Sequence, residues 1–167
     1  MKEYKPDIGS GDDGTTDLCG GARVSKTDPR VRMNALLDAV NASLGLAKGA
    51  LPSQCTEEFN QLDIIQADII KLSSRIAGAG VEDDYFRRKT ELLEEMIRNI
   101  SRELKLPTEF VRPGSNMPEA LSNYVRAVVR MAEIYAWEIR DSVAAVYLNR
   151  LSDYMFLFSI AVGGQSE

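Results

Sequence analysis

Two stretches of the chain carry residue types spaced for chemistry, and a third carries a polar residue out of place. The first is Gly11-Asp12-Asp13-Gly14-Thr15-Thr16, followed by Gly20-Gly21-Ala22-Arg23-Val24-Ser25-Lys26. Glycines let backbone N–H groups converge on an anion, and Thr, Ser and Lys add hydroxyl donors and positive charge. A polyphosphate needs those groups. Asp12 and Asp13 repel a bare phosphate and suit a magnesium-bound one. The order of Gly, Lys and Thr is not that of a Walker A loop, and no strand is predicted ahead of it. The same composition also describes a solvated polar terminus.

The second stretch is Arg126, Arg130, Glu133 and Trp137, at i, i+4, i+7 and i+11. At 100° per residue they make one stripe of a helix, apart from the apolar stripe of Val125, Val128, Ala132 and Tyr135. The stripe reads either as a charged face turned to a cleft or a second subunit, or as a solvated face with an ordinary Arg–Glu pair. The third stretch is YLNRLSDYMF, residues 147–156. Leu148, Leu151 and Met155 share its core face, while Asn149, Asp153 and Phe156 share another. Asn is a poor residue inside a helix, so Asn149 points to a specific hydrogen bond or to an exposed position.

The chain has no histidine, so the commonest general base and metal ligand are absent. That favours a reaction in which the substrate or cofactor carries the reactivity. Cys19 and Cys55 are far apart and outside any CxxC pattern, which argues against a disulfide framework or structural zinc. A net charge of −5 gives no support for nucleic-acid binding. The polar opening MKEYKPDIGSGDDG is not a signal peptide, and no apolar run has the length of a membrane span, so the expected location is the cytoplasm.

Positioning these residues requires helices. The 167 residues suit one domain, 1–167, with residues 1–29 as an irregular arm and 30–162 as a helical bundle. Asp28-Pro29 supplies a cap and a first-turn proline for a helix reaching about Ala47. A loop follows at 48–56. The second helix, about 57–79, aligns Leu62, Ile65, Ile69, Leu72 and Ile76 on one stripe. A third helix is predicted at about 82–105, a fourth from near Pro118, and a fifth at about 141–162. The three prolines of LPTEFVRPGSNMP make a loop between the third and fourth. The expectation is an all-α, five-helix up-down bundle of the ferritin-like kind, with no convincing strand.

Taken together, GDDGTT, RVSKTDPRV, Leu37-Asp38 to Asn41 with Leu44-Gly45, Phe110-Val111-Arg112-Pro113-Gly114, the Arg126/Arg130/Glu133 spacing and YLNRLSDYMF resemble the PduO-type ATP:cob(I)alamin adenosyltransferases. The resemblance covers most of the chain. It implies an enzyme that moves the 5′-deoxyadenosyl group of ATP onto cob(I)alamin, and a homotrimer with active sites between subunits. Ser10, Gly11, Thr15, Thr16 and Lys26 would hold the triphosphate with Mg²⁺. Arg130, Glu133 and Asn149 would contact the nucleotide. Arg126 would pair with Asp38 across the interface, and Phe110 would lie on the lower corrin face. Arg130, Lys26 and Phe110 are the implied catalytic residues. The cofactors and substrates implied are ATP, Mg²⁺ and cobalamin. Candidate partners are a cobalamin reductase or an adenosylcobalamin-dependent enzyme, with no nucleic acid and no membrane. The alternative is a non-catalytic relative that binds nucleotide or corrinoid as sensor or carrier, and a plain helical interaction module stands third. The chain departs from the family's usual pattern at Ile8, Gly9, Met131 and Ile134, all on the nucleotide side, and at Arg112 and Ser115 of the loop. The histidine usual at the start of the fourth helix is absent, with Ser122-Asn123 in that region.

Overall fold

The computed structural model describes residues 8–19, 21–109 and 112–164. Among them five helices carry the fold: α1 (Pro29–Gly49), α2 (Thr56–Ile76), α3 (Asp83–Glu103), α4 (Met117–Glu138) and α5 (Ser142–Gly163). Their starts follow the sequence signals. Asp28 accepts the Arg30 N–H at 2.8 Å, Asn116 accepts the Glu119 N–H at 2.8 Å, and Asp141 accepts the Ala144 N–H at 3.0 Å. Pro29 and Pro118 occupy first-turn positions where no N–H is needed. Two predicted bounds shift. Lys48 and Gly49 continue α1 rather than entering the loop, and α2 stops at Ile76, before the left-handed Gly78 (φ 95°).

The arm corrects the expectation that it is irregular and strandless. β1 (Thr15–Asp17) and β2 (Arg23–Ser25) pair antiparallel, with Thr15 opposite Ser25 and Asp17 opposite Arg23. Three residues per strand are too few for alternation to show in a sequence. The pairing is set instead by backbone bonds that bracket the strands, Leu18 N–H to Ala22 O at 2.9 Å at the turn and Lys26 N–H to Gly14 O at 2.8 Å at the open end.

Each helix reverses the direction of the one before. At one end, the Arg75 guanidinium of α2 reaches Asp83 at the start of α3 (2.6 Å) and Asp141 at the start of α5. A depression of about 450 Å³ there is lined by Asp28, Arg30, Arg75, Ile139 and Asp141, so α1 begins and α4 ends at this same end. At the other end, the Asn116 amide that caps α4 donates to the Val162 and Gly163 carbonyls closing α5 (3.3 and 3.2 Å). The arm joins α1 at the first end. The loop between α3 and α4 lies at the second.

The core is one cluster. Met33, Leu37, Val40 and Leu44 of α1 meet Leu62, Ile69 and Leu72 of α2, and Val125, Val129 and Ala132 of α4. Helix α5 is central, packing on both α3 and α4, with Tyr147, Leu148, Leu151, Tyr154, Met155 and Phe158 all buried. This explains why its apolar residues surround most of its circumference. The Tyr154 hydroxyl reaches α2 through Gln61 Oε1 at 2.6 Å.

Tyr147 is the anomaly of this core. It is fully buried, edge-on to Phe86 at 5.3 Å, and its hydroxyl has no hydrogen-bond partner among the described residues. Burial pushes its pKa well above the ordinary value. An unmade buried hydrogen bond costs about 1–3 kcal/mol, so Tyr147→Phe is expected to leave stability unchanged or raise it by about 1 kcal/mol in urea unfolding. A clear loss of stability would reveal a hydrogen bond made by this hydroxyl, such as to a buried water.

Candidate functional site

The arm brings together most of the residues its sequence marked. Gly9, Gly11 and Gly14 all take left-handed backbone (φ 87°, 88° and 79°), folding residues 9–14 into successive turns. Gly11 is buried, and a Cβ there would fall 2.6 Å from the Thr15 carbonyl oxygen and 3.1 Å from Lys26 Cε and Nζ. The Lys26 ammonium is therefore laid directly over the glycine turn, on the hairpin that also presents Thr15 and Thr16. Ser10 is exposed on the same turn.

The two aspartates divide in role, which sequence reasoning did not foresee. Asp13 Oδ1 accepts the Thr15 N–H at 3.0 Å and the Thr15 hydroxyl at 2.7 Å, and the Arg23 guanidinium stands 3.4 Å away. The Thr15 hydroxyl and N–H, with a smaller contribution from Arg23, hold the Asp13 carboxyl below the ordinary carboxylate value. A depressed pKa means that this turn contact is fully present above about pH 4 and is lost as pH falls through it. Asp13 thus shapes the arm, while Asp12 stays exposed. Arg23 was missed as a structural residue. Its signal was the charge alternation Asp13, Asp17, Arg23 across a hairpin that could not be seen. Its pairs are exposed, so they add little to stability. Among the described residues no group of three acidic or cysteine side chains could hold a metal unaided.

On α4 the predicted stripe forms, without the predicted Arg–Glu pair. Glu133 accepts the Trp137 indole N–H at 2.7 Å instead. Arg130 is exposed and makes no ion pair among the described residues. Arg126 is half-buried, and its Nε donates to Asn123 Oδ1 at 3.3 Å. An uncompensated guanidinium on a rigid helix suits a phosphate or carboxylate supplied from outside the chain.

Asn149 has the specific hydrogen bond its position suggested. Its side-chain oxygen accepts from Arg150 NH1 at 2.7 Å, and Arg150 Nε is bound to Glu94 of α3 at 2.8 Å. The neighbouring Arg150 and the distant Glu94 were not singled out by the sequence. Asp38 is exposed on α1, about 100° around the helix from the buried Leu37, and makes no ion pair among the described residues. Phe110 lies outside the described residues.

These groups are not gathered in one place. Helix α4 has 22 residues, hence a length of about 33 Å at 1.5 Å per residue. That length separates the arm from the loop that follows Phe110. Arg130 and Glu133 lie in the half nearer the arm, and Arg126 nearer the middle.

Comparison with known proteins adds to this geometry. Residues 8–162 match the cobalamin adenosyltransferase family. The corrinoid adenosyltransferase of Mycobacterium tuberculosis is 34% identical over 165 residues, covering 90% of this chain and 84% of that protein. That of Bacillus subtilis is 30% identical over 167 residues, covering 94% and 86%. Among solved structures, a variant PduO-type ATP:corrinoid adenosyltransferase from Lactobacillus reuteri, complexed with cobalamin and ATP, superposes with a TM-score of 0.85. It is 23% identical, with 96% of this chain and 91% of that one covered.

Proposed function

Because the chain belongs to the cobalamin adenosyltransferase family, we propose that it transfers the 5′-deoxyadenosyl group of ATP to cob(I)alamin. The cobalt nucleophile forms a bond to the ribose 5′-carbon. The 5′ carbon–oxygen bond breaks, and triphosphate leaves with its electron pair. Cob(I)alamin is a strong nucleophile without deprotonation, so the absence of histidine is no obstacle. The protein has to supply proximity, in-line orientation and charge for the leaving group.

The observation that carries the reading is the pairing of a Lys26-covered glycine turn with an unneutralised Arg130. Ser10, Gly11, Thr15, Thr16 and Lys26 bind the triphosphate, and Arg130 meets the charge that develops on it. Glu133 and Asn149 orient the nucleoside. Mg²⁺ arrives with the phosphates, which suits an arm whose described residues offer Asp12, a carboxylate outside any ion pair among them, and hydroxyls rather than a closed cage. Phe110 covers the lower corrin face and favours four-coordinate cob(II)alamin, which is easier to reduce.

The site is completed by a second copy of the chain, in a homotrimer. Two facts support this. The arm and residues 112–116 are at opposite ends of one bundle, and Asp38 and Arg126 have no ion pair with each other inside it. A carrier without turnover draws on Met131 and Ile134, which are 58% and 53% exposed on α4 and offer a nucleotide no charge. The test is the spectrum of cob(II)alamin with protein and MgATP, followed by reduction. The four-coordinate signature and then adenosylcobalamin are expected. The signature without product would favour the carrier, and neither would remove both readings.

A further inference from the structure

The start of α4 holds a buried polar pair, Glu119 and Asn123, that none of the functions above uses. Glu119 is 4% exposed, in a helix whose other buried residues are mostly apolar. Burying a carboxylate is unfavourable unless donors surround it, and here they do. Oε2 accepts the Gly114 N–H at 2.6 Å, the Ser115 N–H at 3.0 Å and the Ser115 hydroxyl at 3.4 Å. Oε1 accepts the Asn123 side-chain amide at 2.6 Å. That amide orientation turns Asn123 Oδ1 outward, where it accepts Arg126 Nε at 3.3 Å. One side of Glu119 therefore grips the loop, and the other runs through Asn123 to Arg126. Gly163 of α5 closes against it, since a Cβ there would lie 3.2 Å from Glu119 Cγ.

The chain of bonds has a fixed polarity. Glu119 can only accept, Asn123 must then donate on one side and accept on the other, and Arg126 can only donate. We propose that Glu119 and Asn123 are positioning residues for the corrinoid. They lock Arg126 and the loop that follows Phe110 into one rigid unit, so that the loop meets the corrin in register with the Arg126–Asp38 contact between copies. This rests on the reading that Phe110 covers the lower corrin face and that Arg126 pairs with Asp38 of a second copy beside it.

The polarity supplies the test. In Glu119→Gln the introduced amide can satisfy the loop or Asn123 but not both, because one of its ends now donates. Asn123 must then turn a donor toward a donor, against either the introduced amide or Arg126. Adding Asn123→Asp restores the relay with roles exchanged. The amide at position 119 donates to the carboxylate at position 123, whose second oxygen accepts from Arg126. The double variant also keeps the net charge.

Steady-state kinetics of the full chain should show the corrinoid KM rising about fivefold or more in Glu119→Gln. The ATP KM should stay within about twofold, and the double variant should recover. A wild-type corrinoid KM in Glu119→Gln, or equal rises in both KM values, would overturn the proposal. A second readout is independent of turnover. The Nε–H signal of Arg126, seen by NMR in ¹⁵N-arginine-labelled protein, should be protected from exchange in the native chain, lose protection in Glu119→Gln and regain it in the double variant. Unchanged protection in Glu119→Gln overturns the coupling whether or not the protein makes adenosylcobalamin. Inactive native protein with the protection pattern intact faults only the functional reading on which the corrinoid assignment stands.

Discussion

Gly11→Ala should raise the ATP KM about tenfold or more while leaving thermal unfolding of the bundle nearly unchanged. Two penalties act at this position. A left-handed backbone is disfavoured for any residue with a Cβ by about 1–2 kcal/mol, and Gly11 sits at φ 88°. The added carbon would also stand 2.6 Å from the Thr15 carbonyl oxygen, which is backbone and cannot swing aside. The turn must therefore open, moving Thr15 away from Lys26. Even about 1.4 kcal/mol of lost binding is a tenfold change. The core should not respond, because its cluster is built from α1–α5, and among the described residues the arm contributes only Leu18 to the buried apolar set. Gly14 is the control. It is also left-handed, but a Cβ there meets nothing within 4 Å, so Gly14→Ala carries the backbone strain alone and should affect ATP less. Equal ATP affinity in native and Gly11→Ala protein would show that the glycine turn is not a phosphate cradle.

The bundle was legible in the sequence because its helices are long and their signals redundant. Asp28-Pro29 and Pro118 each mark a start. Leu62 through Ile76 mark a buried stripe without ambiguity. The hairpin was not legible, since three-residue strands held by backbone bonds leave no periodic trace. The site divides along the same line. Features that one local segment carries recur in the structure: Lys26 over the Gly11 turn, the α4 stripe and the buried side of YLNRLSDYMF. Features that need two distant segments were not legible. Asn149 was suspected of a hydrogen bond, but the Arg150–Glu94 link behind it spans 56 positions. Glu119 was not singled out by the sequence, because an acid in a first helical turn is favourable at any helix N-terminus. Only the return of the loop and the approach of Gly163 bury it.

Arg130→Ala should lower kcat by about 100- to 1,000-fold, the range found when one preorganised donor to a developing negative charge is removed. The geometry separates this loss from any loss of fold. Arg130 is exposed, has no ion pair among the described residues, and projects from a helix interior where Ala is the better helix former. Stability should therefore change by no more than about 0.5 kcal/mol. Nor can its neighbours substitute. Met131 and Ile134 are apolar, Glu133 is negative and engaged with Trp137, and Arg126 is held by Asn123. A single guanidinium carries the charge on this part of α4, so its removal should fall on the chemical step more heavily than in a site with several cations. Arg130→Lys keeps a point charge but loses the planar fork that grips two oxygens at once, and should lie between the native and alanine proteins. If Arg130→Ala turns over within about threefold of the native rate, leaving-group stabilisation must come from Lys26 alone, and the unneutralised stripe on α4 would have to be assigned to subunit assembly instead.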